Sequence, residues 1–578
     1  MLLILIGTMY FELEGITVIG KRLEALPYQV EVIEVEDLIT IEDLGEILEK
    51  KAGIYIYSYG EPNSLTETKL HGCTSKHTLI MLNGHRINDP KNGGFDLSVI
   101  PLRAVKKIEI IKGSSSVFQG SNAIGGIVNI ITGEEVNQLK VQANSNSSLM
   151  GGIEFYKYGV NGNLLLEKGK GDRSNTDYER YSFSSNWEGL NLVLSHRKLG
   201  VPGPLPQEGV IPTFGDATAT SLFDHQKVDF LDLSYNKVFP KGELGIVIQP
   251  VLSCELFKYN WKYSDYITGE PVEASAKYNT IVGQFNTKFL YKIASLEINL
   301  EKDKVWGTQY LPETTSFYPE EEKAGISLSL FKENGLFNNF LSLREDWYRS
   351  FGFHPSFTVG SRVFINPLEV FISIGSAFQA PTLNDLYYPN FSNSELKPES
   401  SMGLNGGIKI KGFSISGHIE NIKDRIGYNE FWIPQNISKS RVFGIDVSAK
   451  GELNHISYSL GYSYLDGYDE EDDLKRELQY HPKHSLYGVV FHKGPINTEI
   501  STKWMGERKK LFYEGWKKIE SDFIVDLGVS KEINNISFGF NVDNLLDAKY
   551  ITAFGNSLYD RDYPGLRRCF NLWAKLLF

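Results

Sequence analysis

Alternation with a period of two dominates the chain beyond about residue 135. Leu296, Ile298 and Leu300 alternate with Glu297 and Asn299; Phe413, Ile415 and Ile419 alternate with Ser414, Ser416, His418 and Glu420. Ile456, Tyr458, Leu460, Tyr462 and Tyr464 alternate in the same way with Ser457, Ser459, Gly461 and Ser463. This pattern predicts strands with one apolar face and one small or polar face. A soluble sandwich also alternates, but it does not need so many long strands or so many aromatics on the outer face. A barrel with lipid outside and a wet lumen demands both. The roughly 440 residues available would supply 22 strands of membrane-spanning length with their turns.

The first part of the chain reads differently. Thr40 to Ile54 predicts a helix with Thr40 as N-cap, Asp43 at the third position, Ile41, Leu44, Ile47 and Leu48 on one face, and Gly53 as its end. A strand then runs into Asn83-Gly84, a tight-turn signal, and Pro101 opens a short helical turn. Residues 105–132, VKKIEIIKGSSSVFQGSNAIGGIVNIIT, hold two apolar runs of strand length around a segment of Ser, Gly and Asn. A phosphate-loop reading of that segment fails, because no Lys-Ser or Lys-Thr pair closes it and no helix period follows.

Composition narrows the class. The 578 residues carry a net charge of −12, with 31 Tyr and 34 Phe. The acidic balance leaves no basic face for nucleic acid. Cys73, Cys254 and Cys569 are scattered, which allows one disulfide but no disulfide framework or CxxC metal site. No run approaches the apolar length of a membrane helix. HExxH and GxSxG are absent and the 11 histidines are scattered, so an enzyme is not expected.

Residues 105–132 resemble the end of the plug domain of TonB-dependent outer-membrane receptors. Further phrases resemble that family in its order: IGSAFQAPTLNDLYY (374–388) with SELKPES (394–400), NISKSRVFGIDVSAKG (436–451), and NVDNLLDAKY (541–550) with the closing strand that ends on Phe578. The resemblance implies an α/β plug at 15–135 inside a 22-stranded antiparallel transmembrane barrel at 136–578, after a residual leader or disordered start at 1–14. ITVIGKR (16–22) looks like a TonB box, so Ile16, Thr17, Val18 and Ile19 are expected to pair with TonB by strand addition.

The resemblance implies a monomer in outer-membrane lipid that takes up a scarce metal chelate. The length and DLSVIPLRAVKKIEIIKG (96–113) look more like cobalamin receptors; a ferric-siderophore receptor is the alternative. Haem is disfavoured, since haem receptors of the family often carry a His just after this phrase and residues 382–392, which follow Phe378–Pro381, hold none, and a passive porin would not carry a plug. Four positions that pair plug arginines with barrel glutamates in the family are here His71, Lys112, Asn405 and Asp446. Lys112 with Asp446, and His71 with Asn405, are the expected plug–barrel contacts. No cofactor is required. The acidic run DGYDEEDD offers Asp466, Asp469, Asp472 and Asp473 as ligands for Ca²⁺, as in the outer loops of cobalamin receptors.

Overall fold

In a computed structural model, the structure describes residues 26–578 apart from segments at 36–38, 61, 134–135, 172–174, 201–222, 242, 265–270, 312, 430–431, 472–473, 513–514 and 555–561. The expected TonB box at Ile16–Ile19, and Asp472 and Asp473 of the acidic run, lie outside these residues.

The N-terminal domain contains β1 (Gln29–Glu34), α1 (Leu44–Ala52), β2 (Tyr55–Ser58), β3 (Thr66–Lys69), β4 (Thr78–Leu82), β5 (His85–Arg86), β6 (Val105–Lys112), α2 (Ser116–Gln119) and β7 (Gly126–Thr132). Its main sheet runs β1-β6-β7-β4-β5, with β4 and β7 parallel and β6 antiparallel to β1 and β7. Every residue of β7 is buried, which explains why this strand reads as a continuous apolar run rather than an alternating one. Ile108, Ile110, Val128 and Ile130 pack on Leu44, Ile47 and Leu48 of α1.

The cap of α1 differs from expectation. Asp43 is the N-cap, its carboxylate accepting from Glu46 N, and Gly53 ends the helix at φ 66°. Thr40 is not free to cap, because its N–H and hydroxyl both donate to Glu499 on the barrel wall. Asn83 and Gly84 sit at φ 49° and 86°, the conformation a two-residue hairpin requires at both positions.

Twenty-two antiparallel strands close around this domain. The last strand, Cys569–Leu577, pairs with the first, Gln138–Asn144, from Asn571↔Asn144 to Leu577↔Gln138. Outward positions are apolar: Phe570, Leu572, Leu576 and Phe578 are exposed on the closing strand, while Asn571 and Lys575 are buried against the lumen. No described helix is long and apolar enough to cross a membrane. One end of the barrel has tight turns, such as Tyr158-Gly159 and Lys411-Gly412 with positive φ at both residues. The other end carries the long connections, the arrangement of outer-membrane barrels with their loops outside.

Three stretches whose composition suggests loops are instead largely paired. Residues 257–280 fall in a hairpin of Leu244–Ser264 and Pro271–Tyr291. Residues 306–323 and 466–479 continue as Ala294–Leu311 with Glu313–Phe317, and Ile456–Glu471 with Leu474–Glu477. Residues 307–310 pair with both 275–278 and 314–317, and residues 468–471 with both 438–441 and 474–477, so the sheet itself continues through much of these stretches. The three cysteines are all free thiols.

Candidate functional site

The Ser-rich loop after β6 docks on the barrel. Ser116 Oγ accepts from Phe378 N at 3.1 Å, Ser121 Oγ accepts from Ala380 N at 2.8 Å, and Ser114 Oγ donates to Glu420 at 2.7 Å. The FQAP phrase thus clasps the loop. Glycine is needed here because the Asn405 side chain packs against the loop backbone: a Cβ on Gly113 (φ +99°) would lie 2.3 Å from Asn405 Oδ1.

Just below lies a buried charge cluster. The Lys112 ammonium is 3.1 Å from Glu31 and 3.7 Å from Asp446, and donates to Ala52 O at 3.1 Å. Lys450 reaches the other Glu31 oxygen at 3.1 Å. His71 Nε2 is 3.3 Å from Asp446 Oδ2, and its ring stacks on His418 at 3.6 Å between centroids. The stack needs Gly444, where a Cβ would come within 2.1 Å of His418 Cε1. His71 is therefore a neighbour of Asp446 and His418, while the expected partner Asn405 packs instead on Gly113. The difference arises because His71, at φ 52°, turns its ring toward the strand carrying Asp446.

Burial works against the Lys112 charge, but the Asp446 and Glu31 carboxylates outweigh it and hold its pKa above the usual ammonium value. Burial also raises Glu31, yet Lys112 and Lys450 bring it below the usual carboxylate range. For His71 burial dominates over the Asp446 contact, so the imidazole pKa is lowered and the ring is neutral near pH 7. The donor atoms of His71, His418 and Asp446 lie within 4.8 Å of one another, a grouping able to hold a metal ion. The Lys112 ammonium already supplies positive charge to Asp446 there.

Other charged and polar contacts ring the plug. Lys50 meets Asp526 at 2.8 Å, Lys76 and His77 share Glu399 at 2.7 and 2.9 Å, His85 meets Asp232 at 2.9 Å, and Arg197 meets Asp96 at 2.6 Å. Glu399 belongs to the SELKPES phrase, so that motif is legible as a plug clamp once its partners are known. In the acidic run, Asp466 is engaged by Lys483 at 3.1 Å and Asp469 by Arg425.

Plug and barrel also meet at the open, long-loop end. Lys91, held by Glu255 at 2.8 Å and Asp89 at 3.1 Å, lies 5.6 and 5.3 Å from the ring centroids of Phe257 and Tyr278. Phe317 bridges Tyr278 and Tyr388 edge-on. Across the vestibule Tyr59 stacks on Tyr563 at 4.4 Å. Lys69 lies 4.6 Å from the Tyr57 centroid, and burial lowers its pKa to about 8. A cavity of about 270 Å³ follows the seam from Ser148 and Arg567 at the rim to Lys50 and Asp526.

A family model described as TonB dependent receptor-like, beta-barrel matches residues 141–545, and one described as TonB-dependent Receptor Plug Domain matches residues 22–127. The chain belongs to the TonB-dependent receptors. It is an outer-membrane transport receptor and not an enzyme. The "Vitamin B12 transporter BtuB" of Photobacterium profundum is 25% identical over 580 residues, covering 93% of this chain and 91% of the relative. That of Vibrio vulnificus is 25% identical over 562 residues, covering 90% and 87%. Among solved structures, the pyoverdine receptor FpvA of Pseudomonas aeruginosa superposes with a TM-score of 0.79 at 13% identity, covering 96% of this chain and 95% of that one. The siderophore receptor PirA of Acinetobacter baumannii gives 0.73 at 16% identity, covering 96% and 99%. At these identities the two structures share the fold alone.

Proposed function

We propose that this receptor captures a corrinoid of the cobalamin type at the cell surface and passes it to the periplasm. It works as a monomer in outer-membrane lipid, with TonB drawing on the segment Ile16–Ile19. The observation that carries the substrate is the end-to-end similarity to two relatives named vitamin B12 transporters, over 93% and 90% of the chain. The vestibule is consistent with it: the rings of Phe257, Tyr278, Phe317, Tyr388, Tyr59 and Tyr563 offer flat apolar contacts to a large, mostly neutral macrocycle. The cation over these rings, Lys91, is already neutralised by two carboxylates, which lessens the pull on a multiply anionic iron chelate.

Passage needs the plug to move. The seam cavity of about 270 Å³ is smaller than the roughly 300–1,000 Å³ of ordinary small-ligand pockets, and a corrinoid exceeds most such ligands. Titration of the purified receptor with cyanocobalamin and a panel of ferric chelates, followed by isothermal calorimetry, tests the reading. Cobalamin is expected to bind at least a hundredfold more tightly than any ferric chelate in the panel. A ferric chelate that binds more tightly than cobalamin rejects the substrate and leaves the family assignment intact.

A further inference from the structure

We propose that Lys69 is the anion-recognising group of the vestibule: it pairs with the phosphodiester on the nucleotide arm of a cobalamin and so selects complete cobalamins over corrinoids that lack the arm. The inference rests on the corrinoid reading above and adds the residue that reads one part of the ligand.

Lys69 ends β3, where Tyr55 of β2 stands opposite it and Tyr57 stands opposite Glu67. Its ammonium lies 4.6 Å from the Tyr57 ring centroid and 5.9 Å from that of Tyr55. Among the described residues no carboxylate forms an ion pair with it. That sets it apart within the plug, where Lys50, Lys76, Lys91, Lys107 and Lys112 each meet a carboxylate at 2.7–3.3 Å. The acidic side chains of this region are engaged elsewhere. Glu67, two residues back on the same face, rests on the Gly94 backbone, where a Cβ would lie 2.6 Å from Glu67 Oε1 and 3.3 Å from Ser75 Oγ. Asp469 is held by Arg425 and accepts from Ser440 at 2.7 Å. Burial lowers the Lys69 pKa to about 8; Glu67 works against that shift and Arg425 adds to it. A ring face attracts an ammonium, but it does not replace the anion and the hydration that a half-buried charge calls for.

Two features identify the anion. The first is charge. Lys91, Arg425 and Lys483, which also border the vestibule, are occupied by Glu255 and Asp89, by Asp469 and by Asp466. One unpaired ammonium suits a ligand with a single anionic group, which a phosphodiester is, and not a chelate that carries several charges. The second feature is shape. Tyr57 meets Tyr59 edge-on at 6.0 Å, Tyr59 stacks on Tyr563, and Tyr55 lies 5.5 Å from the His481 ring. Lys69 thus stands within a row of flat rings, the surface on which a planar heterocycle packs. The nucleotide arm joins an anion to such a base; a free phosphate offers the anion alone.

The test measures binding of cyanocobalamin and of dicyanocobinamide, which keeps the corrin ring but has neither phosphodiester nor base, to the full-length receptor by isothermal calorimetry. The wild type is expected to bind cyanocobalamin at least tenfold more tightly. Lys69→Met should lose at least tenfold in affinity for cyanocobalamin and change less than twofold toward dicyanocobinamide, and Lys69→Arg should recover most of the loss. A second readout needs no substitution. As pH rises from about 7 to about 9.5, Lys69 gives up its proton, so wild-type affinity for cyanocobalamin should fall severalfold while that for dicyanocobinamide holds. The Tyr55 and Tyr57 phenols, raised by burial, and the His481 imidazole, lowered by burial to about 3, keep their charge state over that range. A guanidinium keeps its charge too, so Lys69→Arg should lose the pH dependence. Heat-modifiable gel mobility verifies folding; if Lys69→Met misfolds, the wild-type pH profiles decide. Undiminished cyanocobalamin binding by folded Lys69→Met, an equal loss toward both corrinoids, or pH profiles that fall together overturns the inference and leaves the corrinoid reading standing. A wild type that binds neither corrinoid rejects that reading, and this inference with it.

Discussion

At the scale of single residues, the plug is held by buried charges whose partners are hundreds of positions away. Lys112 is 2% exposed and sits between Glu31 and Asp446. Removing one member of such a group strands the others in low dielectric, at a cost of about 3–5 kcal/mol. Lys112→Met is therefore expected to weaken plug seating by an amount in that range, while adding Asp446→Asn to it should cost much less than the sum of the single changes. Urea titration of plug release, followed by limited proteolysis, measures each corner of the cycle; strict additivity would reject the contact. Lys112 and Asp446 were legible by their place in family phrases. Glu31, Lys450 and His418 were not, because each is an ordinary polar position of an alternating strand. Only the register of β1 on β6 and the packing of β1 on the barrel bring Glu31 between two lysines. Thr40 shows the same limit, since a good N-cap residue was recruited by Glu499 and the cap passed to Asp43.

Among elements, period-two alternation carried most of the information, since each wall strand faces lipid on one side and plug on the other. The stretches 257–280 and 306–323 read as loops because Gly269, Pro271, Gly307, Pro312 and Pro319 interrupt the alternation, although strands run through most of both. The closing strand offers a direct check of facing. Leu572 is 64% exposed on the lipid side at mid-strand, and Lys575 is 7% exposed on the lumen side. Leu572→Arg should lower barrel stability by about 2–4 kcal/mol, the cost of a basic side chain near the bilayer midplane. Lys575→Gln, by contrast, should cost under about 1 kcal/mol, within the usual range of tolerated changes. Reversible guanidinium unfolding in liposomes separates the two. A reversed order would mean that the strand presents its other face to the lipid.

For the whole molecule, the charge ring and the Ser-loop clasp pose one mechanical problem. Lys50–Asp526, Lys76–Glu399, His85–Asp232, Arg197–Asp96 and Lys112–Asp446 hold the plug on many sides of the wall. Binding at the vestibule does not break all of them, because a ligand shifts an equilibrium only by its differential affinity for the two states. Work must come from the other end. β1 (Gln29–Glu34) is placed to transmit it, since it lies at the edge of the plug sheet and pairs with β6. Tension on residues before β1 would act on Glu31 and so on the Lys112 cluster. The β-branched run at Ile16–Ile19 suits strand addition to TonB. Deleting those four residues should leave surface binding of radiolabelled cobalamin unchanged and reduce uptake by whole cells to the level of a strain lacking TonB. Normal uptake by the deletion strain would show that force enters the plug elsewhere. Loss of binding as well would show that the deletion disturbs the plug fold rather than its coupling.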